Sequence, residues 1–275
     1  MFSEKLRAAQ ERNHSFLCIG LDPDPAKIPA ADVATFLREI IDATADLVGA
    51  YKPNLAFFEA LGTEGHDILR RTLEAIPKGI PTIGDGKRGD IGDTMRFYAK
   101  ALFDQYDFDA VTVNAYGGHD ALEPLLSRKD RGVLIWCRSS NLGAQDIQDR
   151  SLTDGRALYE VIAELAKSWN ENGNVGLVVG ATWPEQLRRV RQLCPDMFIL
   201  VPGVGAQEGD LEAAVRAALD RQGSGFIINA SRQVLYASKG KDFALDARRV
   251  AQVLRTRINQ AIEAALTQPS QEGAH

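Results

Sequence analysis

The stretch DGKRGDIGDT, residues 85–94, crowds Asp85, Lys87, Arg88, Asp90 and Asp93 directly behind the apolar run IPTI. Side chains two apart on an extended segment face the same way. Asp85 and Lys87 therefore form a candidate opposed pair at the end of a buried strand. An ammonium held against a carboxylate can stabilise developing negative charge and deliver a proton. Gly86 and Gly89 turn the chain before Asp90, so that acid cannot share the strand geometry. Asp90 reads either as a helix N-cap or as a functional acid, and Asp93 as an acid of the first helical turn.

Other apolar runs also end on polar residues. Lys52 in YKPN needs an acid if it closes a buried strand, and Asp22 in LDPDP is either a turn residue or part of a site. Arg138, Ser139, Ser140 and Asn141 follow GVLIWC as a polar loop or a set of ligands. PGVGAQEGD (202–210) is glycine-rich and opens a helix, which suits an anion as well as a simple tight turn. Arg232 follows GFIINA, and its planar fork fits a phosphate.

These residues need elements that bring them to one place. Candidate strands lie at 15–21, 49–54, 80–85, 109–114, 132–137, 175–180, 197–202 and 225–230. Each is a continuous apolar run, as expected of strands buried on both faces. Apolar residues three and four apart predict helices over 33–48, 94–106, 156–169, 184–193, 211–219 and 247–266. Eight strands alternating with helices predict a (β/α)8 TIM barrel, in which chemistry sits at the strand C-termini. A dinucleotide-binding doubly wound sheet is disfavoured, because the first strand ends in LDPDP and not in a glycine fingerprint. The expectation is one barrel domain over 1–275, with a short N-terminal helix and a frayed tail from about 267.

The totals set limits on function. The chain has 275 residues and a net charge of −5, so no global basic field attracts nucleic acid. Cys18, Cys137 and Cys194 lie far apart in apolar stretches and read as buried thiols. Four histidines without HxxxH or HExxH spacing argue against a protein-built metal site. There is no apolar signal core at the N-terminus and no run long enough to span a membrane. A reducing cytoplasm is the expected compartment.

DGKRGDIGDT resembles the D-x-K-x-x-D-I-x-x-T signature of the orotidine 5′-phosphate decarboxylase family. LDPD, YKPN, SSNLGA, VPGVGAQ and NASRQVLY are similar to further family segments in the same order, from about residue 15 to 236, and suggest its longer bacterial-type branch. Leu142 departs from the proline common there, which alters loop stiffness. The resemblance implies a TIM barrel that converts orotidine 5′-monophosphate to UMP and CO2, the last step of de novo pyrimidine nucleotide synthesis, without a cofactor or metal. It implies that Lys52, Asp85, Lys87 and Asp90 form an alternating charge network. Asp90, with Ile91 and Thr94 nearby, would reach the neighbouring site of a homodimer. It also implies that Asp22 and Lys52 contact the ribose, Ser140 the pyrimidine, Gln207 and Arg232 the phosphate, with Pro202 beside the base and Gly203 to Asp210 as a lid. Three alternatives remain at this point: a metal-dependent phosphosugar lyase of the same barrel type, a Schiff-base aldolase using Lys52 or Lys87, and a non-catalytic phosphoribosyl-nucleotide binding protein.

Overall fold

The computed structural model describes residues 1–204 and 210–267. Eight strands run parallel: β1 (Leu17–Leu21), β2 (Ala50–Pro53), β3 (Ile83–Arg88), β4 (Ala110–Val113), β5 (Gly132–Arg138), β6 (Val175–Val179), β7 (Phe198–Pro202) and β8 (Phe226–Ala230). They form one sheet in the order β2-β1-β8-β7-β6-β5-β4-β3. Parallel bridges from Tyr51 to Thr82 and from Asn54 to Asp85 bring the two outer strands together, so the barrel is nearly closed.

Strand periodicity divides the apolar residues into two cores. Leu17, Ile19 and Leu21 face outward, in one cluster with Phe36, Leu37 and Ile40 of the helix Val33–Thr44. That helix is capped by Asp32, whose carboxylate accepts from the Thr35 amide at 2.9 Å. Each fully buried large apolar side chain on its inner face contributes about 1.5–3 kcal/mol. The inner core takes Cys18, Ala50, Ile83, Ala110, Leu134, Val178, Leu200 and Ile227 from the eight strands in turn. Phe2 and Leu6 join it from the N-terminal helix Phe2–Asn13, which plugs the bottom of the barrel; Phe2 lies edge-on to Phe198 at 5.8 Å. A cavity of about 340 Å³ opens at that end, between this helix and the starts of β6 and β7, remote from the charged residues of β3.

Several elements differ from the pattern in the sequence. The third strand was expected at 80–85, but β3 runs over Ile83–Arg88, and its pairing with β4 resumes at Arg88 after a register shift. Its polar residues are strand and not loop. The expected helix 94–106 is an α-helix over Gly92–Ala99 that continues as a π-helix over Lys100–Gln105. Helices Thr63–Ala75 and His119–Leu126 were not among the expected helices. The first buries only Gly65, Leu69 and Thr72, and the second is short and contains Pro124.

Candidate active site

Two neighbouring strand ends build the charged centre. Lys52 stands on β2 in register with Gly20, and Asp85 faces it from β3. The Lys52 Nζ donates to Asp85 Oδ2 at 2.6 Å, and the Lys87 Nζ donates to Asp85 Oδ1 at 2.7 Å. Lys52 and Asp85 are 3% and 6% exposed, whereas the Lys87 side chain is 33% exposed and faces the barrel mouth. Gly20, beside Lys52 on β1, leaves room for the Ser231 side chain after β8, since a Cβ there would stand 1.9 Å from the Ser231 Oγ.

Burial opposes charge on both members of the inner pair, and their mutual field overcomes it. For Asp85, desolvation pushes the carboxyl up, but Lys52 and Lys87 together hold it well below the usual carboxylate range. For Lys52, desolvation pushes the ammonium down, but the charges of Asp85 and Asp22 hold it above the ordinary lysine value. Both therefore stay ionised at neutral pH.

The backbone at this point is unusual. Lys87 has φ +45°, a left-handed conformation that costs a non-glycine residue about 1–2 kcal/mol. Asp85 and Lys87 thus share a face across a bulged strand, not the regular extended one that their spacing suggested. The Lys87 amide donates to Thr112 Oγ1 at 3.0 Å, and that hydroxyl donates to Asp85 Oδ1 at 2.7 Å. Trp136 lies beside the ammonium, its ring centroid 6.0 Å from Lys87 Nζ.

The rim supplies polar groups around this centre. Asp22 Oδ1 and Asn229 Oδ1 are buried without a hydrogen-bond partner among the described residues, so both could accept from a ligand hydroxyl. Ser140 is packed against two other strand ends; a Cβ at Gly180 would stand 2.6 Å from its backbone N, and one at Gly203 2.9 Å from its Cβ. Its loop is braced from beneath by Arg138, fully buried, which forks onto Asp149 at 2.8 and 2.9 Å and lies 4.7 Å from the Trp183 ring. Pro202 ends β7, and its carbonyl accepts from the Ala181 amide at 2.8 Å. Arg232 is exposed and opens the helix Arg232–Leu235. Gln207, and the centre of the expected lid, lie outside the described residues.

Asp90 stands apart. It is exposed, its carboxylate accepts from the Ile91 amide at 2.7 Å, and no hydrogen bond or ion pair among the described residues joins it to Lys52, Asp85 or Lys87. The reading of Asp90 as an N-cap fails, because Ile91 is the N-cap of the helix Gly92–Ala99. Asp93 does lie in its first turn, paired with Arg96 at 2.7 Å, and Thr94 sits in the same turn. Ile91 is 71% exposed. Sequence reasoning missed Thr112, Trp136 and Asn229. Each sits inside an apolar run at an inward-facing position, so counting strand parity from Asp85 and Asn114 was the signal that would have found Thr112.

The fold and its charged rim define a TIM-barrel enzyme with its site at the C-terminal mouth. A sequence model described as the orotidine 5′-phosphate decarboxylase / HUMPS family matches residues 15–246. The chain belongs to that family. It is 53% identical over 270 residues to an orotidine 5′-phosphate decarboxylase of Roseiflexus castenholzii, covering 96% of this chain and 99% of the relative. A counterpart from Ralstonia pickettii is 51% identical over 268 residues, covering 94% and 98%. Among solved structures, Leishmania donovani OMP decarboxylase superposes with a TM-score of 0.86 at 42% identity, covering 96% of this chain and 99% of that one.

Proposed function

We propose that the Lys52–Asp85–Lys87 centre carries the decarboxylation of orotidine 5′-monophosphate to UMP and CO2. The activity itself follows from membership of the family and from relatives near 50% identity over almost the whole chain, and a phosphosugar lyase or a pure binding protein is not favoured. The observation that carries the site assignment is the buried carboxylate held between two lysines at the barrel mouth. A binding pocket alone gains nothing from concentrating such charges where burial is costly.

Loss of CO2 from C6 leaves an electron pair in the ring plane, where the ring π-system delocalises it poorly. Fixed charges must stabilise it. In this reading Lys87, the more exposed lysine, stands beside C6 and donates the proton, while Asp85 faces the departing carboxylate. Lys52 keeps Asp85 ionised and in place. Asp22 and Asn229 offer open acceptors for the ribose hydroxyls, Ser140 and Pro202 border the base, and Arg232 takes the phosphate with Gln207. Binding energy from the remote phosphate lowers the barrier by fixing the base against Lys87.

We further propose a homodimer of single-domain barrels in which Asp90 completes the neighbour's network. Asp90 makes no hydrogen bond or ion pair with its own network among the described residues, and large apolar residues stand exposed on the segments that follow it and β4: Ile91 at 71%, Phe97 at 75% and Tyr116 at 96%. Such exposure is a feature of association surfaces. Three free, buried cysteines support a reducing compartment, and no helix among the described residues is long and apolar enough to cross a membrane.

The deciding assay follows the ultraviolet absorbance of orotidine 5′-monophosphate with the purified protein in EDTA, beside a Lys87→Ala variant. Conversion to UMP that persists in EDTA and disappears in the variant is expected. Equal turnover by Lys87→Ala would remove Lys87 from the centre of the mechanism.

A further inference from the structure

We infer that Thr112 is a positioning residue of the reaction: its hydroxyl holds the carboxylate of Asp85 and the backbone of Lys87 in register while Lys87 gives up its proton. This rests on the decarboxylase reading above and adds to it a residue outside the charge network.

Thr112 sits on β4 between Val111 and Val113, and it is 1% exposed. A valine would fill the same volume, so packing does not explain the hydroxyl. Its oxygen makes two bonds, and both go to the reactive segment. It donates to Asp85 Oδ1 at 2.7 Å and accepts from the Lys87 amide at 3.0 Å. The second bond has a structural origin. Regular pairing between β3 and β4 lapses between Gly84 and Arg88, so the ladder gives the Lys87 amide no β4 carbonyl. The threonine oxygen takes the place of that carbonyl and holds Lys87 in its left-handed conformation. The direction in which Nζ points depends on that backbone.

The first bond matters during the proton transfer. Lys87 Nζ and Thr112 Oγ1 both donate to Asp85 Oδ1, while Lys52 serves Oδ2. As the C6–CO2 bond breaks, its electron pair stays on C6. A C6–H bond then forms as an N–H bond of Lys87 breaks, and the ammonium becomes a neutral amine. Asp85 Oδ1 loses its cationic partner at that moment. Thr112 is the donor that remains on this oxygen, and being neutral it is unaffected by the change of charge. It keeps the acid from swinging into the space that CO2 vacates.

The test compares wild type, Thr112→Val and Thr112→Ser in steady-state kcat, KM, UMP affinity and thermal midpoint. Thr112→Val is expected to lose about 100-fold in kcat, the scale of a small misplacement of reacting groups. Its UMP affinity should stay within about threefold of wild type, which marks a loss confined to the transition state. Thr112→Ser, which keeps the hydroxyl, should retain kcat within about threefold of wild type. Wild-type kcat in Thr112→Val overturns the inference, and so does a UMP affinity that falls in parallel with kcat. If Thr112→Val does not fold, Thr112→Ser decides: a loss beyond about tenfold there shows that the methyl group and not the hydroxyl matters. Wild type without turnover would instead overturn the decarboxylase reading, and this inference with it.

Discussion

Asp85 accepts from three donors, and each keeps a buried charge tolerable. Lys52 is the most deeply enclosed of the two lysines, so Lys52→Met should cost about 3–5 kcal/mol of stability, the usual consequence of leaving a buried partner charge uncompensated. The pH dependence has a defined sign. The folded Asp85 is held below its unfolded value, so its contribution is present above about pH 4 and is lost as pH falls through the folded value. The folded Lys52 is held above its unfolded value, so its contribution is present below about pH 10 and is lost as pH rises through the folded value. Urea midpoints of wild type and Lys52→Met should therefore differ by a constant amount from about pH 5 to 9 and converge below about pH 4. A gap that persists unchanged to pH 2 would mean that the pair's charges do not set its stability.

At the scale of elements, the site depends on strand ends that approach one another more closely than side chains normally allow. The end of β6 leads into Gly180, whose missing Cβ leaves room for the backbone of Ser140 after β5. Gly180→Ala should force those segments apart. The expected cost is about 1–3 kcal/mol in stability from overpacking, with a weaker hold on the base. Isothermal titration with UMP checks the second effect; unchanged affinity in a destabilised variant would separate the Ser140 loop from ligand binding. The bulge in β3 has a similar meaning. It spends backbone energy at Lys87 to aim one side chain, and the pairing of Arg88 with Val113 beyond it re-anchors the strand.

At the scale of the whole molecule, the position of Asp90 separates two architectures. If Asp90 serves the neighbouring barrel, mixing inactive Lys87→Ala with inactive Asp90→Ala and allowing subunit exchange creates hybrid dimers with one intact site. Activity should then recover to about one quarter of wild type, since about half the dimers are hybrids with one working site each in a twofold assembly. If Asp90 served its own chain, no mixture would recover activity. Sedimentation of the mixture establishes that dimers are present. Ile91, Phe97 and Tyr116 are exposed as well, so charged substitutions there should dissociate the proposed dimer before they unfold the barrel.

The sequence by itself determined a great deal about this protein. Continuous apolar runs located all eight strands, because strands buried on both faces must be apolar throughout. The polar residues that end those runs, Asp22, Lys52, Asp85, Lys87, Ser140, Pro202 and Arg232, lie at or just beyond strand C-termini, the end at which a parallel barrel gathers its rim. Helices Thr63–Ala75 and His119–Leu126 escaped notice, since the narrow buried stripe of one and the proline of the other give little period to detect. Only the tertiary structure decided that β3 extends through Lys87 with a left-handed residue in it, that Lys52 shares the Asp85 carboxylate with Lys87, and that Thr112 ties both to β4. The physical reason is that these contacts join residues 25 to 33 positions apart in the chain. Residue spacing governs which way neighbouring side chains face, whereas barrel closure and strand register govern which distant ones meet.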